Sequence, residues 1–369
     1  MKRIVVHLIA GLAKGGAETM LYQVIKYQSD REITNRVISL GASSYYEQPL
    51  RDLGVNVVVV PLIKRPLYSL NRIRKELAHV DTLCCWMYHA NFIGYYLGKL
   101  AHVPHIIWCI RHSNLDPALN KRQTLKINAL CAKRSGKINA ILYNGNLARE
   151  VHERIGYNPK KGAVLDNGCD CVEYTHIPEA REQLCRELGI DSQKKIVLSV
   201  TKNHPIKDVP TFIRAFRKLH MRLRDTVAII CGEGIDSEDE RLKGLCEENG
   251  LIVGKNVFLL GMRHDVPILL SACDLYVLHS AGEAFPNALL QAMSCGCLCL
   301  STDVGDARRI LSQADCIIPL REPKQLADKM EELLSLSEEQ TQFIRDENRA
   351  RVLDEFEIRQ IVKRYEELY

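Results

Sequence analysis

The chain reads as an α/β protein of two doubly wound domains, and three observations carry that reading. Short β-branched runs alternate with amphipathic helical patterns from end to end, and six such runs fall in each half. The formal charge changes sign between the halves, +11 over residues 1–175 and −6 over the remainder, within a net +5 for 369 residues. Strands separated by helices imply parallel sheets buried on both faces, and six strands per half give two Rossmann-like domains. With 46% hydrophobic and 26% charged residues, the composition is that of an ordinary soluble protein with ample core for two domains.

In the first half the strand runs are RIVVHLIA (3–10), NRVISL (35–40), VNVVVVPL (55–62), DTLCCWMY (81–88), HIIWCI (105–110) and AILYN (140–144). In the second they are KKIVLSV (194–200), TVAIICG (226–232), NVFLLG (256–261), DLYVLHS (274–280), CLCLST (297–302) and CIIPL (316–320). Helical patterns such as DVPTFIRAFRKLHMRL (208–223) and DVPILLSA (265–272) lie between them. The charge switch and the turn-rich DNGCD place a join within 165–195, giving a first domain over 1–170 and a second over 171–351. The charged helical pattern at about 352–369 is expected to pack back on the first domain. Sheets of this kind bind ligands beyond the carboxyl ends of their strands, and two such domains facing a central cleft bind them there as well.

The basic residues of the first half gather in two amphipathic helices, KRPLYSLNRIRKEL (64–77) and NKRQTLKINALCAKRSGK (120–137). Two readings stay open for them: a solvated helix face, or contact with anionic lipid or a phosphorylated acceptor. Nucleic acid is disfavoured, since no interleaved aromatics or binding motif accompany the charge. No run reaches the roughly 18 apolar residues of a membrane span. The basic-then-apolar start ends in a glycine loop, as a buried strand does and a signal peptide does not, so a cytoplasmic chain is expected. None of the 14 cysteines forms a CxxC pair, which argues against zinc. Cys295, Cys297 and Cys299 alternate, so they are expected on one face of a strand as small apolar fillers.

Three segments could carry chemistry. In GLAKGGAETMLYQVI, Gly15 and Gly16 precede a helix whose first N–H groups suit an anion, although a plain tight turn explains them nearly as well. In SVTKNHPIKDVPTF, Lys202 and Lys207 follow a strand end, Pro205 constrains the loop, and Asp208 is placed to cap the next helix. Two cations there would neutralise a diphosphate leaving group, while exposed loop lysines remain the plain alternative; His204 reads as an ordinary loop histidine. In GEAFPNALLQAM, Glu283 follows a strand and Gln291 lies one turn into a helix. Amides near Ala288 and Leu289 would face a phosphate. A carboxylate and a polar side chain so placed can accept bonds from sugar and ribose hydroxyls.

On these residues the chain resembles the retaining glycosyltransferases of the glycogen-synthase-like family (family four), which have the GT-B fold. The family's E-x7-E signature is similar to Glu283 and the position of Gln291, and its basic pair to Lys202 and Lys207. GMRHDVPILLSACDLYVLHSAGEAFPNALLQAMSCG, TDVGDARRIL, LDNGCD and the amino-terminal GGAE follow the family pattern as well. By that resemblance Arg263, Phe285 and Asn287 join Gly15, Gly16, Ala288 and Leu289 on the donor, and His112 lies near the reacting sugar carbon. His89 is an acceptor-side candidate, with a structural histidine equally open. Three departures stand out: Gln291 in place of the second glutamate, Lys202 in place of arginine, and Asp166 in place of proline.

The resemblance implies a metal-independent, retaining hexosyltransferase with Glu283, His112 and Lys207 as catalytic residues. It would move sugar from a nucleotide-sugar, a UDP-sugar by expectation, to a saccharide or lipid-linked saccharide in surface polysaccharide or lipopolysaccharide synthesis. The nucleotide-sugar is a substrate, so no cofactor is expected, and an anionic membrane surface is a candidate partner. A UDP-sugar 2-epimerase and a non-catalytic nucleotide-sugar-binding protein are the alternatives.

Overall fold

The computed structural model describes residues 2–42 and 44–369. The chain divides into two compact units, Met1–Gly168 with Ile358–Tyr369, and Cys169–Glu357. Residues 352–357 therefore stay with the second unit, and only the segment from Ile358 returns to the first.

The first unit holds a seven-stranded sheet: β1 (Arg3–Ile9), β2 (Ile33–Ser39), β3 (Asn56–Val59), β4 (Thr82–Trp86), β5 (His105–Ile110), β6 (Ala140–Tyr143) and β7 (Gly162–Val164). The second holds six: β8 (Lys195–Val200), β9 (Thr226–Cys231), β10 (Val257–Leu259), β11 (Leu275–Leu278), β12 (Cys299–Thr302) and β13 (Ile317–Ile318). All twelve runs form strands; β7 is an addition, whose segment GAV has a single β-branched residue and so shows no β-branched run. The orders are β3-β2-β1-β4-β5-β6-β7 and β10-β9-β8-β11-β12-β13, and the pairings are parallel. The order reverses between β1 and β4 and between β8 and β11. Chains leaving adjacent strands there diverge, opening a crevice for ligand.

Alternation sorts the first sheet's side chains. Val5, Ile9, Cys84, Trp86, Ile107 and Cys109 face one way, against Leu21 and Val24 of the helix Gly16–Lys26 and Ile358, Ile361 and Tyr365 of the terminal helix Ile358–Glu366. Val6, Leu8, Leu83, Cys85, Ile106 and Trp108 face the other way. The terminal helix is also held by polar bonds. Ser29 N (2.5 Å), Ser29 Oγ (2.9 Å) and Asp30 N (2.9 Å) donate to the buried Glu366 carboxylate, and Thr82 Oγ1 donates to the Tyr369 carbonyl at 3.0 Å.

The cysteines are buried and free of disulfides. The shared strand face expected for Cys295, Cys297 and Cys299 is not formed, because only Cys299 lies in a strand. The helix Asn287–Ser294 ends in a Schellman turn at Gly296 (φ 74°), where Gly296 N donates to Met293 O (3.0 Å) and Cys297 N to Ala292 O (3.0 Å).

Three histidines are sealed in the cores. His7 accepts from Trp86 Nε1 at Nδ1 (3.2 Å), so its Nε2 carries the proton toward Asn35 Oδ1 (3.1 Å). His152 meets Tyr88 Oη at 2.8 Å, and His279 meets Ser199 Oγ at 2.8 Å. Burial lowers each from 6.5 to about 4. The folded state thus rejects a proton that the unfolded chain accepts at pH 6.5. This contribution to stability is complete above pH 6.5 and is lost as pH falls through that value toward 4. Urea midpoints measured from pH 7.5 to 4.5 are expected to fall across this window; a flat profile would show that these rings are protonated in the fold.

Candidate functional site

In the second unit the candidate residues gather at the β8/β11 reversal. After β8 the chain makes a 3-10 turn, Pro205–Lys207, and enters the helix Val209–Arg222. His204 opens the turn by accepting from Ile206 N at Nδ1 (3.2 Å). Asp208 stands at the cap position, but its side chain makes no capping bond and its backbone is left-handed, φ 51°. The expected cap is therefore replaced by a sharp backbone reversal. It leaves Lys207 Nζ 2.5 Å from Glu283 Oε1, with both side chains largely shielded from solvent.

Glu283 comes from the loop after β11. Ser280 Oγ donates to the same Oε1 at 2.7 Å, and Ala281 N donates to Ile206 O at 2.8 Å, tying this loop to the lysine's turn. Gly305 (φ 52°) backs the loop; a Cβ there would lie 2.8 Å from the Glu283 carbonyl oxygen and 2.6 Å from that of Ala284. Phe285 is buried with its ring centroid 6.1 Å from that of Phe356. It anchors the loop by packing rather than by a polar contact.

The helix Asn287–Ser294 then begins. Asn287 N donates to Phe285 O (3.0 Å) and Leu289 N to Pro286 O (3.1 Å). The Leu289 amide expected on a phosphate is thus engaged within the chain, while Ala288 is partly exposed. Gln291 lies one turn in and is also partly exposed.

The two remaining cations stand differently. Lys202 is half exposed and pairs with Glu233 at 2.7 Å, a partner that holds the Glu233 carboxyl below its usual range. Arg263, expected on the donor, has its guanidinium fork paired with two carboxylates. Nη1 and Nη2 grip Glu187 at 2.5 and 3.0 Å, and Nε and Nη2 grip Asp265 at 2.8 and 2.6 Å. Those two carboxylates push its pKa up. The resemblance placed Arg263 on the donor, but could not show that Glu187, 76 residues earlier, pairs with its fork.

In the first unit, Gly15 caps the helix Gly16–Lys26 in extended conformation, and the Glu18 carboxylate lies against it, 2.5 Å from where a Gly15 Cβ would be. The anion expected at this helix start would meet the chain's own carboxylate. β4 stops at Trp86, two residues earlier than the sequence pattern. Met87 (φ 70°) turns the chain directly into the helix Met87–Leu100, so His89 lies exposed in a first helical turn. Partial desolvation by its neighbours and the charge of Lys121 lower its pKa.

His112, two residues past β5, is largely shielded, and burial lowers its pKa. Its Nε2 lies 3.2 Å from Asn120 Oδ1. Asn120 Nδ2 donates to the carbonyls of Asn114 (3.0 Å) and Asp116 (2.9 Å), so its oxygen is the atom turned to the ring. His112 therefore carries its proton on Nε2.

Comparison with known proteins gives the family and the fold. The family profile "Glycosyltransferase Family 4" matches residues 14–173, and "Glycosyl transferases group 1" matches residues 180–349. The chain belongs to this glycosyltransferase family. It is 28% identical over 256 residues to N-acetyl-alpha-D-glucosaminyl L-malate synthase of Bacillus anthracis, covering 69% of this chain and 63% of that one. It is 24% identical to N,N'-diacetylbacillosaminyl-diphospho-undecaprenol alpha-1,3-N-acetylgalactosaminyltransferase of Campylobacter jejuni, covering 98% of each. The fold is GT-B. Among solved structures, Anabaena Alr3699/HepE in complex with UDP superposes with TM-score 0.86 at 20% identity, over 100% of this chain and 99% of that one.

Sequence reasoning missed two groups in this glycosyltransferase. Arg111, beside His112, lies over the rings of Trp86 (5.2 Å) and Tyr365 (5.7 Å) and donates to Asn167 Oδ1, with its pKa lowered by burial. The second, His279, is buried directly after β11 and meets Ser199 of β8. An arginine next to a candidate histidine was the available signal for the first; nothing marked the second.

The carboxylates around Arg263 yield a prediction. Arg263→Ala strips Glu187 and Asp265 of a shared, largely shielded guanidinium and should lower stability by about 1–3 kcal/mol. Nucleotide affinity should stay within about twofold. A large affinity loss at unchanged Tm would return Arg263 to the donor.

Proposed function

We propose that this glycosyltransferase moves a hexosyl group from a nucleotide-sugar, with a UDP-sugar as the best-supported donor, to a saccharide or lipid-linked saccharide of surface polysaccharide synthesis. The observation that carries this reading is the shielded Lys207–Glu283 pair, 2.5 Å apart at the β8/β11 reversal. The UDP complex of the Anabaena neighbour supports the nucleotide, and the diphospho-undecaprenol relative supports the lipid.

On this reading the second unit takes the donor and the more basic first unit the acceptor. Lys207, with Lys202 farther out, neutralises charge on the departing diphosphate, a task that calls for no metal here. Glu283, an acceptor-only carboxylate, takes bonds from donor-sugar hydroxyls and aligns the ring. Gln291 accepts from ribose without charge assistance. The acceptor hydroxyl attacks the face the diphosphate leaves. The new C–O bond forms as the anomeric C–O bond to phosphate breaks, the hydroxyl proton passes to a phosphate oxygen, and configuration is retained. His112, uncharged at neutral pH, sits near the reacting carbon without opposing the positive charge that develops there.

The deciding experiment incubates the protein with a panel of nucleotide-sugars and lipid-linked acceptors and follows nucleotide release and anomeric configuration. Transfer with retention from a UDP-sugar is expected; isomerisation without acceptor would favour a 2-epimerase. Lys207→Ala should lower turnover at least about a hundredfold. Glu283→Gln should act mainly on kcat, because its contact strengthens in the transition state. Gln291→Ala should mainly raise KM, about tenfold, as for uniform binding. Equal kcat losses at both positions would show that they do not divide the donor in this way.

An anionic membrane surface is the proposed site of encounter with a lipid-linked acceptor. Ile63 and Leu67 are 96% and 83% exposed at the start of the basic helix Pro66–Glu76, beside Lys64 and Arg65. Apolar side chains among cations suit an anionic interface, where each Lys or Arg contributes about 1 kcal/mol. Binding to anionic vesicles should weaken with salt, and Ile63→Asp with Leu67→Asp should lower the salt-resistant remainder. Absence of vesicle binding would return these helices to a solvated face.

A further inference from the structure

His279 follows β11 by one residue and is fully buried. Its Nε2 lies 2.8 Å from Ser199 Oγ of β8, and its ring is 4.9 Å from that of Phe212, tilted by 30°. The ring therefore braces the two strands that flank the reversal. Its other nitrogen, Nδ1, is buried with no well-formed bond, as is Asp208 Oδ2. The backbone of Lys207 and Asp208 lies close enough to bias the ring's titration, and Asp208 itself holds φ 51°.

Two buried polar atoms without a well-formed bond and one left-handed non-glycine residue thus occur at or beside the turn that carries Lys207. A left-handed backbone is unfavourable for a non-glycine residue, less so for aspartate than for most, and a buried polar group without a partner is unfavourable too. Such costs persist where the surroundings over-determine them, often at a functional site. Here these features adjoin the turn whose lysine meets Glu283 at 2.5 Å.

We infer that His279 is a positioning residue for Lys207. Braced by Ser199 and Phe212, it supports the turn Pro205–Asp208 so that the ammonium meets Glu283 and, on the donor-site reading above, the donor diphosphate. The ring touches no substrate; it acts through the lysine. Burial keeps it uncharged, so it adds no second cation behind the first.

A double-mutant cycle in UDP affinity tests this, because binding stays measurable when turnover is lost. His279→Phe should weaken UDP binding about fivefold, and His279→Gln, which keeps a donor and an acceptor, should restore most of it. Ser199→Ala, the variant least disruptive to packing, should weaken it about threefold. In a Lys207→Met background neither His279→Phe nor Ser199→Ala should weaken binding further. Unchanged affinity in both single variants, equal losses in both backgrounds, or no rescue by glutamine would overturn the inference while leaving the donor site intact. Absence of UDP binding by the unmutated protein, or its indifference to Lys207→Met, would overturn the donor-site reading and this inference with it.

Discussion

Two all-parallel sheets, each needing apolar cover on both faces, impose the constraint on which the rest of the structure depends. A parallel strand is followed by a crossover, so every carboxyl strand end leads into a loop and then a helix. That rule puts Lys202, Lys207, Glu283 and His112 just beyond strand ends without special provision. It also explains the terminal helix. One face of the first sheet would be incompletely covered without Ile358, Ile361 and Tyr365, and Glu366 fixes that cover by taking three bonds from Ser29 and Asp30. A long return of the chain is thus part of the first unit's core.

Within the second unit, charge is arranged by shielding as much as by sequence. Lys207 and Glu283 have little solvent, so their attraction is stronger than between exposed groups, and a phosphate competing for the lysine would act in the same shielded setting. Lys202 keeps half its surface in water against Glu233 and is the weaker electrostatic partner. Arg263, with the largest hydrogen-bonding capacity of the three, is committed to Glu187 and Asp265. Of these three cations, one is shielded and faces a single carboxylate, one is solvated, and one is paired with two carboxylates.

The first unit shows the same division. The Gly15–Gly16 helix start holds its own Glu18 carboxylate nearby, and Met87 turns so sharply that His89 becomes a helical residue. His112 is held in one tautomer by Asn120, which spends both amide hydrogens on carbonyls of its own loop. Its uncharged state follows from burial winning over the asparagine and the Asn114 backbone, both of which favour the proton.

The sequence by itself determined the fold class, all strands long enough to show a period, and the positions of Lys202, Lys207, Glu283, Gln291 and His112 relative to strand ends. These are local properties: β-branching, spacing and turn chemistry act within about ten residues. β7, with one β-branched residue in GAV, offered no β-branched run, and Cys295–Cys299 misled because alternation cannot reveal a helix end and the turn at Gly296 that follows it. What each polar group does was decided only by the tertiary structure, since partners came from far along the chain. Glu187 claims Arg263, Ser199 braces His279, and Lys207 finds Glu283 76 residues later. Desolvation made the difference, because a side chain's charge and strength of pairing depend on how much water its neighbours remove, and those neighbours are assembled only by folding.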